Sequence, residues 1–533
     1  MMKILRFTNI ALITGALFTS ACFNDLNVTP GDPNTFLADD FYDSPEAYRQ
    51  GLAGVYANLS LTGTEGAGSS NIQGLDAGTS QYGRGLWNLQ ELTADEVIWT
   101  WENDPGVREL NRNTWNADNV LLRGMFGRAM TSVAFANEYL RQTADAILDE
   151  RGVSGTLREE IVTYRAEARF LRALSYYHMM DLFGKAPFVT EANPVGAYQA
   201  NQYNRAELFE FIETELLEIL PDMEAPLANE YARADQATAW MLLAKIYLNA
   251  EVYIGQARYD DCIAMCENIL DAGFELTPNY LHNFMADNDV SAARNEIIFP
   301  IVSDGITTQN YGPTTLMVNG QVGSKETNGN DFGVAAGGWG GALRVTRQFS
   351  EIFLNGTYDN DVRNTLITDD RTIEVTDISN NGTGYVIGKW SNLRSDLSAG
   401  NDQTFVDTDF PMFRLADVHL MYAEAHLRGG GGTLDRATTL FNDLRTRAGN
   451  ANTIAPADLT LNLVLQERLV ELHWEAHRRQ DLIRFGRYTG SAYNWSWKGN
   501  VVSGIGIPTF RAVFPLPTAS LAANPNLTQN TGY

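Results

Sequence analysis

The sequence predicts a mainly α-helical protein in which about four helix pairs alternate with long irregular loops. Three observations carry this reading. Apolar residues recur at three- and four-residue spacings, the runs stop at glycine or proline, and two glycine-rich stretches follow no helical period. With 533 residues, 44% hydrophobic and 11% aromatic, the chain can bury a large core.

The N-terminus sets the compartment. Lys3 and Arg6 precede an apolar run, 10–18, that is too short to span a bilayer. Thr19, Ser20 and Ala21 then lead directly into Cys22, so 1–21 reads as a signal peptide with a lipoprotein cleavage site. Thr19 stands where such sites usually carry leucine, and a plain signal peptide with a leftover cysteine is the alternative. Acylation of Cys22 would anchor the chain at about 0.8 kcal/mol per buried CH₂. Polar residues with Pro30 and Pro33 make 22–40 a lipidated tether, and 41–533 is expected to form one domain. The net charge of −26, or −28 once Lys3 and Arg6 are removed, repels nucleic acid and favours a neutral ligand.

Helical periodicity follows. The run 161–183 places Ile161, Tyr164, Ala168, Leu171, Leu174 and His178 on one face and stops at Gly184 and Pro187. Runs 235–250 and 259–272 form a second pair, ended by Gly273. Runs 416–427 and 434–448 form a third, separated by four glycines from Gly429. Trp240, Leu243, Ala244 and Tyr247 match the first-helix pattern of a tetratricopeptide repeat, where the small residue lets the second helix approach closely. Cys262 and Cys266 share a helix face with no histidine nearby, so both are expected to be buried apolar residues.

Residues 61–85 and 305–345 are rich in glycine and contain aromatics, as functional loops do. Between them, Trp99 and Trp101 would project from one face if 95–101 is extended. Flat aromatic rings stack on the C–H faces of sugars, and Arg84, Asn103 and Asp104 could bond sugar hydroxyls. Tyr311 and Trp339 would extend the platform; burial of these rings in the core is the alternative. Asp95 and Glu96 are adjacent, whereas glycoside hydrolysis needs carboxylates about 5–10 Å apart across the bond, so caps or solvated surface is the expectation for them. His473 and His477 lie one helical turn apart without the glutamate that a zincin places after the first histidine. With Arg478, Arg479, Asp481 and Arg484 they read as a structural ion-pair cluster. Asp287 to Asp289 and Asp407 to Asp409 are acidic turns whose oxygens suit Ca²⁺ only if the fold brings them together.

Several motifs stand out: Arg165-Ala166-Glu167-Ala168-Arg169-Phe170-Leu171-Arg172 continuing to Asp181, Gly184 and Pro187; Phe413-Arg414-Leu415-Ala416-Asp417; Tyr422, Glu424 and Ala425; Asp481, Arg484 and Gly486; and the ending from Asn524 to Asn530. Together they resemble the SusD/RagB family. The resemblance implies a SusD-like fold with four tetratricopeptide-like helix pairs and a non-enzymatic outer-membrane lipoprotein. It also implies that such a protein passes glycan to a SusC-type TonB-dependent transporter. The runs 92–101, 304–312 and 495–499 resemble the family's starch-binding type, which implies an α-glucan ligand, with laminarin or a protein-only scaffold as alternatives. By that resemblance Trp101, Tyr311 and Trp339 form the aromatic arc, and Arg84, Asn103 and Asp104 supply hydrogen bonds. By the same resemblance Asp289, Asp407 and Asp409 would hold one structural Ca²⁺.

Overall fold

The structure is a computed structural model that describes residues 38–196, 198–324 and 327–533. The expected signal peptide (1–21), Cys22 and the expected tether up to residue 37 lie outside the described residues. The chain divides into two compact units, 1–50 and 51–533. In the first, Tyr42 follows the short helix Ala38–Phe41 and packs its ring against Phe41 at 4.9 Å and Tyr48 at 5.1 Å.

The second unit is mainly helical, as predicted. Its principal elements are α1 (Tyr82–Glu91), β1 (Val97–Trp99), α2 (Val120–Gln142), α3 (Thr156–Phe183), α4 (Arg205–Ile219), α5 (Gln236–Leu248), α6 (Tyr259–Leu270), β2 (Ile297–Ile301), α7 (Pro313–Gln321), β3 (Leu343–Val345), α8 (Arg347–Phe353), β4 (Phe410–Arg414), α9 (Leu415–Leu427), α10 (Leu434–Arg447) and α11 (Leu461–Leu472). Successive helices pack together, α2 and α4 on α3 and α5 on α6, while α9 takes α10 beside it in the chain and also α6 and α11 from further away.

Local chemistry sets the helix ends. Gly184 closes α3 in the left-handed region at φ +69°, where a side chain would be strained. Asp235 caps α5 by accepting from Thr238 N at 3.1 Å. α3 begins five residues before the predicted 161, because its first turn carries exposed polar residues that give no apolar signal. Arg158 there pairs with Asp145 at 2.9 Å and Asp149 at 3.1 Å. Cys262 and Cys266 are free and buried, as expected. Not all of 61–85 and 305–345 is irregular: Gly83 and Gly85 lie within α1, and α7 interrupts the second stretch. Gly85 faces Met125 of α2 so closely that a Cβ would stand 3.2 Å from its sulfur, which is why glycine serves there inside a helix.

Charged residues form much of the centre. Arg414, at the end of β4, binds Glu296 at 2.8 Å, Glu471 at 2.7 Å and Glu475 at 2.6 Å, with no side chain more than 1% exposed. Arg363 and Arg447 share Glu471, and Lys389 binds Glu475. A neighbouring chain of pairs links Lys245 and Arg468 through Asp417, Arg468 and Arg484 through Asp481, and Arg484 to Glu424. The family-like motifs at 413–417, 424 and 481–484 are therefore the joints of a buried ionic lattice that ties β4, α9 and α11 together. Each buried ion must be paired and hydrogen-bonded to be tolerated, and these are.

The 473–484 segment is structural, as read from the sequence, although its histidines are not one helical turn apart. α11 ends at Leu472, and Trp474 (φ +61°) and Ala476 (φ +64°) turn the chain sharply. His473 Nδ1 lies 3.0 Å from Val470 O, while His477 Nδ1 lies 3.3 Å from Lys245 Nζ. Burial holds His473 well below the usual imidazole range and takes His477 and His178 to about 3. With folded values below the unfolded one of about 6.5, the three contribute stability that is complete above that pH. It is lost as pH falls toward the folded values. NMR of histidine-labelled protein is expected to show these three rings neutral from pH 7 to pH 5. A ring that protonates near pH 6 would contradict their burial.

Candidate functional site

β1 and β3 form the base of the site. They pair antiparallel, Val97 with Val345, Ile98 with Arg344 and Trp99 with Leu343, and Thr100 N extends the ladder to Ala342 O at 2.8 Å. Asn111 then ends the strand by taking both backbone groups of Trp99, accepting from its N at 3.2 Å and donating to its O at 2.8 Å. The chain bends at Thr100, so Trp99 and Trp101 do not share an outward face. Trp99 is in the core at 1% exposure, whereas Trp101 is 37% exposed. This corrects the expectation of two rings projecting from one face: only Trp101 is available, and Trp99 supports it at 6.1 Å.

Trp339 reaches the same place from the other side. Its backbone N–H donates to Asn319 O on α7 at 2.8 Å, and Gly341 N donates to Val322 O just beyond that helix at 2.8 Å. Gly338 (φ +42°) and Gly341 (φ +65°) turn the loop, and a Cβ on either would stand 2.7 Å or less from Val322 O or Ser324. The glycines of this stretch let an aromatic ring be set close against a helix end. The result is a Trp101–Trp339 pair with ring centroids 5.8 Å apart, inclined at 33°.

Tyr311 precedes α7, whose nine residues span about 13 Å. One short helix thus carries Tyr311 at its start and the Trp339 loop at its end. Tyr311 is half-buried and meets Phe405 edge-on at 5.1 Å. Phe405, far away in sequence, carries no signal that would have singled it out.

Arg84, on α1, connects the two ends. Its Nη1 donates to Tyr311 O at 3.2 Å and its guanidinium lies over the Trp99 ring at 5.2 Å. Burial lowers its pKa to about 10, opposed by the nearby Asp76 and Asp104 carboxylates. Arg84 therefore stays charged at neutral pH. Asn103 and Asp104 are exposed in the turn after Trp101, where Asp104 N donates to Trp101 O at 3.0 Å. Arg84, Trp101, Asp104 and Trp339 thus share one neighbourhood, with Tyr311 attached through Arg84. For Asn103 the structure shows exposure beside this face and no side-chain contact to it.

Asp95 and Glu96 are neither helix caps nor solvated, contrary to the expectation. Both are buried. Asp95 binds Arg478 at 2.7 Å and accepts from Tyr493 Oη at 2.6 Å, and Glu96 accepts from Trp474 N at 2.9 Å. Arg478 and the strained turn at Trp474 require those anions, a demand that the local sequence does not reveal.

Burial raises Asp289, with the Asp287 and Asp407 carboxylates adding to the rise, and Asp289 in turn adds to that of Asp409. Burial first pushes Asp409 up to about 8. The donor chemistry suits a hard cation. The arrangement does not gather it: among the described residues no group of three or more His, Cys, Asp or Glu is placed to hold a metal. Asp407 accepts instead from Gly305 N and Asn401 N, each at 2.8 Å, and Asp409 from Ser303 N at 2.7 Å and Tyr231 Oη at 2.9 Å.

Comparison with known proteins places this geometry. Residues 323–533 match the profile of the SusD family. The starch-binding protein SusD of Bacteroides thetaiotaomicron is 33% identical over 96% of this chain and 96% of its own length. The chain belongs to the SusD family. SusD-like protein P25 of Formosa agariphila is 24% identical over 99% of this chain and 100% of its own. Among solved structures, a SusD superfamily protein from Bacteroides vulgatus superposes with a TM-score of 0.70 at 18% identity, over 92% of this chain and 99% of that one. A laminarin-binding SusD-like protein superposes with a TM-score of 0.67 at 18% identity, over the same shares. These neighbours share the SusD-like fold, mainly helical with few strands. No helix among the described residues is long and apolar enough to cross a membrane.

Proposed function

We propose that this chain is a cell-surface lipoprotein that captures α-glucan and delivers it, without cleaving it, to a SusC-type TonB-dependent transporter. The observation that carries the reading is the exposed Trp101 ring beside Trp339, with Arg84 and Asp104 at its edge. Two inclined rings form a curved apolar platform against which successive sugar rings can stack. Arg84 supplies donors and Asp104 an acceptor for the hydroxyls that project sideways. The 33% identical relative named for binding starch supports α-glucan as the ligand. Exposure of Trp101 weighs against a protein-only scaffold, which would bury it. Catalysis is absent from the reading because Asp95 and Glu96 are committed to Arg478, Tyr493 and Trp474. Acylated Cys22 and the tether would keep the protein at the outer membrane while it moves over its partner.

Laminarin is the second reading, supported by the laminarin-binding structural neighbour. Calorimetry with maltoheptaose and laminariheptaose separates the two. Maltoheptaose is expected to bind more tightly; the reverse order would move the assignment to laminarin, and no heat with either would sink the proposal. A structural Ca²⁺ at Asp289, Asp407 and Asp409 is a separate proposal, resting on their oxygen donors alone, since the three would have to draw together to hold the ion. It predicts a melting temperature higher in calcium than in EDTA, and equal temperatures would remove it.

A further inference from the structure

Away from the aromatic face, an open cleft of about 420 Å³ lies between α8, α11 and the segment 487–493. Small-ligand sites commonly measure about 300–1,000 Å³. Four amide side chains line it, each with one end held. Gln348 Oε1 accepts from Ser496 N at 2.9 Å, Asn355 Oδ1 from Thr357 N at 2.9 Å, and Asn462 Oδ1 from Arg487 Nη2 at 2.6 Å. Gln466 Nε2 donates to Tyr358 Oη at 3.2 Å. The opposite ends, three NH₂ donors and one carbonyl acceptor, have no partner among the described residues. Amides held in this way present donors and acceptors whose orientation is already set, which lowers the ordering cost of binding a ligand.

Of the three charged residues in the cleft, Glu351 and Arg478 are ion-paired and Arg487 is hydrogen-bonded to a neutral amide. Glu351 binds Arg347 at 2.6 Å, Arg478 binds Asp95 at 2.7 Å, and Arg487 rests on Asn462. Glu351 and the net charge of −26 further disfavour an anion. Tyr493, fixed by its hydroxyl on Asp95 at 2.6 Å, adds an aromatic wall. A lining of set amides with one tyrosine and no uncommitted carboxylate matches a neutral, hydroxyl-rich molecule. No lining residue is shared with the aromatic face, and β1 separates Asp95, behind the cleft, from Trp101.

We propose that this cleft is a second binding site, for one or two neutral hexose rings. The test uses the full mature chain carrying Trp101→Ala and Trp339→Ala, which removes the aromatic face, titrated with millimolar maltose by saturation-transfer NMR. Saturable binding is expected to persist, and Asn462→Leu in that background is expected to weaken it by about fivefold, the loss of roughly one hydrogen bond. Asn355→Leu, on a separate loop, gives an independent reading if Asn462→Leu lowers the melting temperature. Absence of saturable binding in the double variant, or binding that both added substitutions leave unchanged, overturns the proposal. Failure of the aromatic face is seen elsewhere, as an unchanged affinity of Trp101→Ala for maltoheptaose.

Discussion

Trp101→Ala is expected to weaken maltoheptaose binding by about 30-fold or more while leaving the melting temperature unchanged. A centrally placed tryptophan that contacts ligand is worth about 2 kcal/mol or more on truncation, and 1.4 kcal/mol corresponds to tenfold. Trp101 holds that position: it touches Trp339 at 5.8 Å on one side and Trp99 at 6.1 Å on the other, and it is the ring with the open face. The fold asks less of it than of the fully buried Trp99, since 37% of its surface is open to solvent. Trp99→Ala provides the contrast. That ring is buried, so its loss should lower stability by about 3–5 kcal/mol and disturb binding only through its neighbour. Calorimetry and thermal melting of the two variants separate recognition from support.

Arg414→Met is expected to be the most damaging single change to the fold. It removes the cation shared by Glu296, Glu471 and Glu475 and leaves three buried carboxylates competing for Arg363, Arg447 and Lys389. Removing one partner of a buried ion pair costs about 3–5 kcal/mol, because the remaining charge is desolvated without compensation. Methionine keeps much of the volume, so the loss reports charge more than packing. A urea midpoint equal to that of the unsubstituted protein would show that the lattice is not held through Arg414.

The helices and their stops were legible because their signals are local. Gly184 ends α3, Asp235 caps α5, and each residue that the spacing of 161–183 marked is buried, although from Phe170 onward the helix is buried on all sides. The aromatic site was legible in part. The two-residue spacing from Trp99 marked Trp101, glycine-rich chain marked Tyr311 and Trp339, and the structure links them through Arg84 and α7. What the sequence could not show was the bend at Thr100, which depends on Asn111 capturing the backbone of Trp99. Nor could it show that Asp95 and Glu96 face inward, since their partners Arg478 and Trp474 are distant in the chain. The aspartates at 289, 407 and 409 illustrate the same limit: each turn is readable alone, while the hydrogen bonds that engage Asp407 and Asp409 come from other segments.

The most direct test of the α-glucan reading is a crystal structure with maltoheptaose bound. The account predicts glucose rings stacked across Trp101 and Trp339, with Arg84 or Asp104 bonded to their hydroxyls. An oligosaccharide that leaves the Trp101 ring uncovered while binding elsewhere on the protein would contradict it.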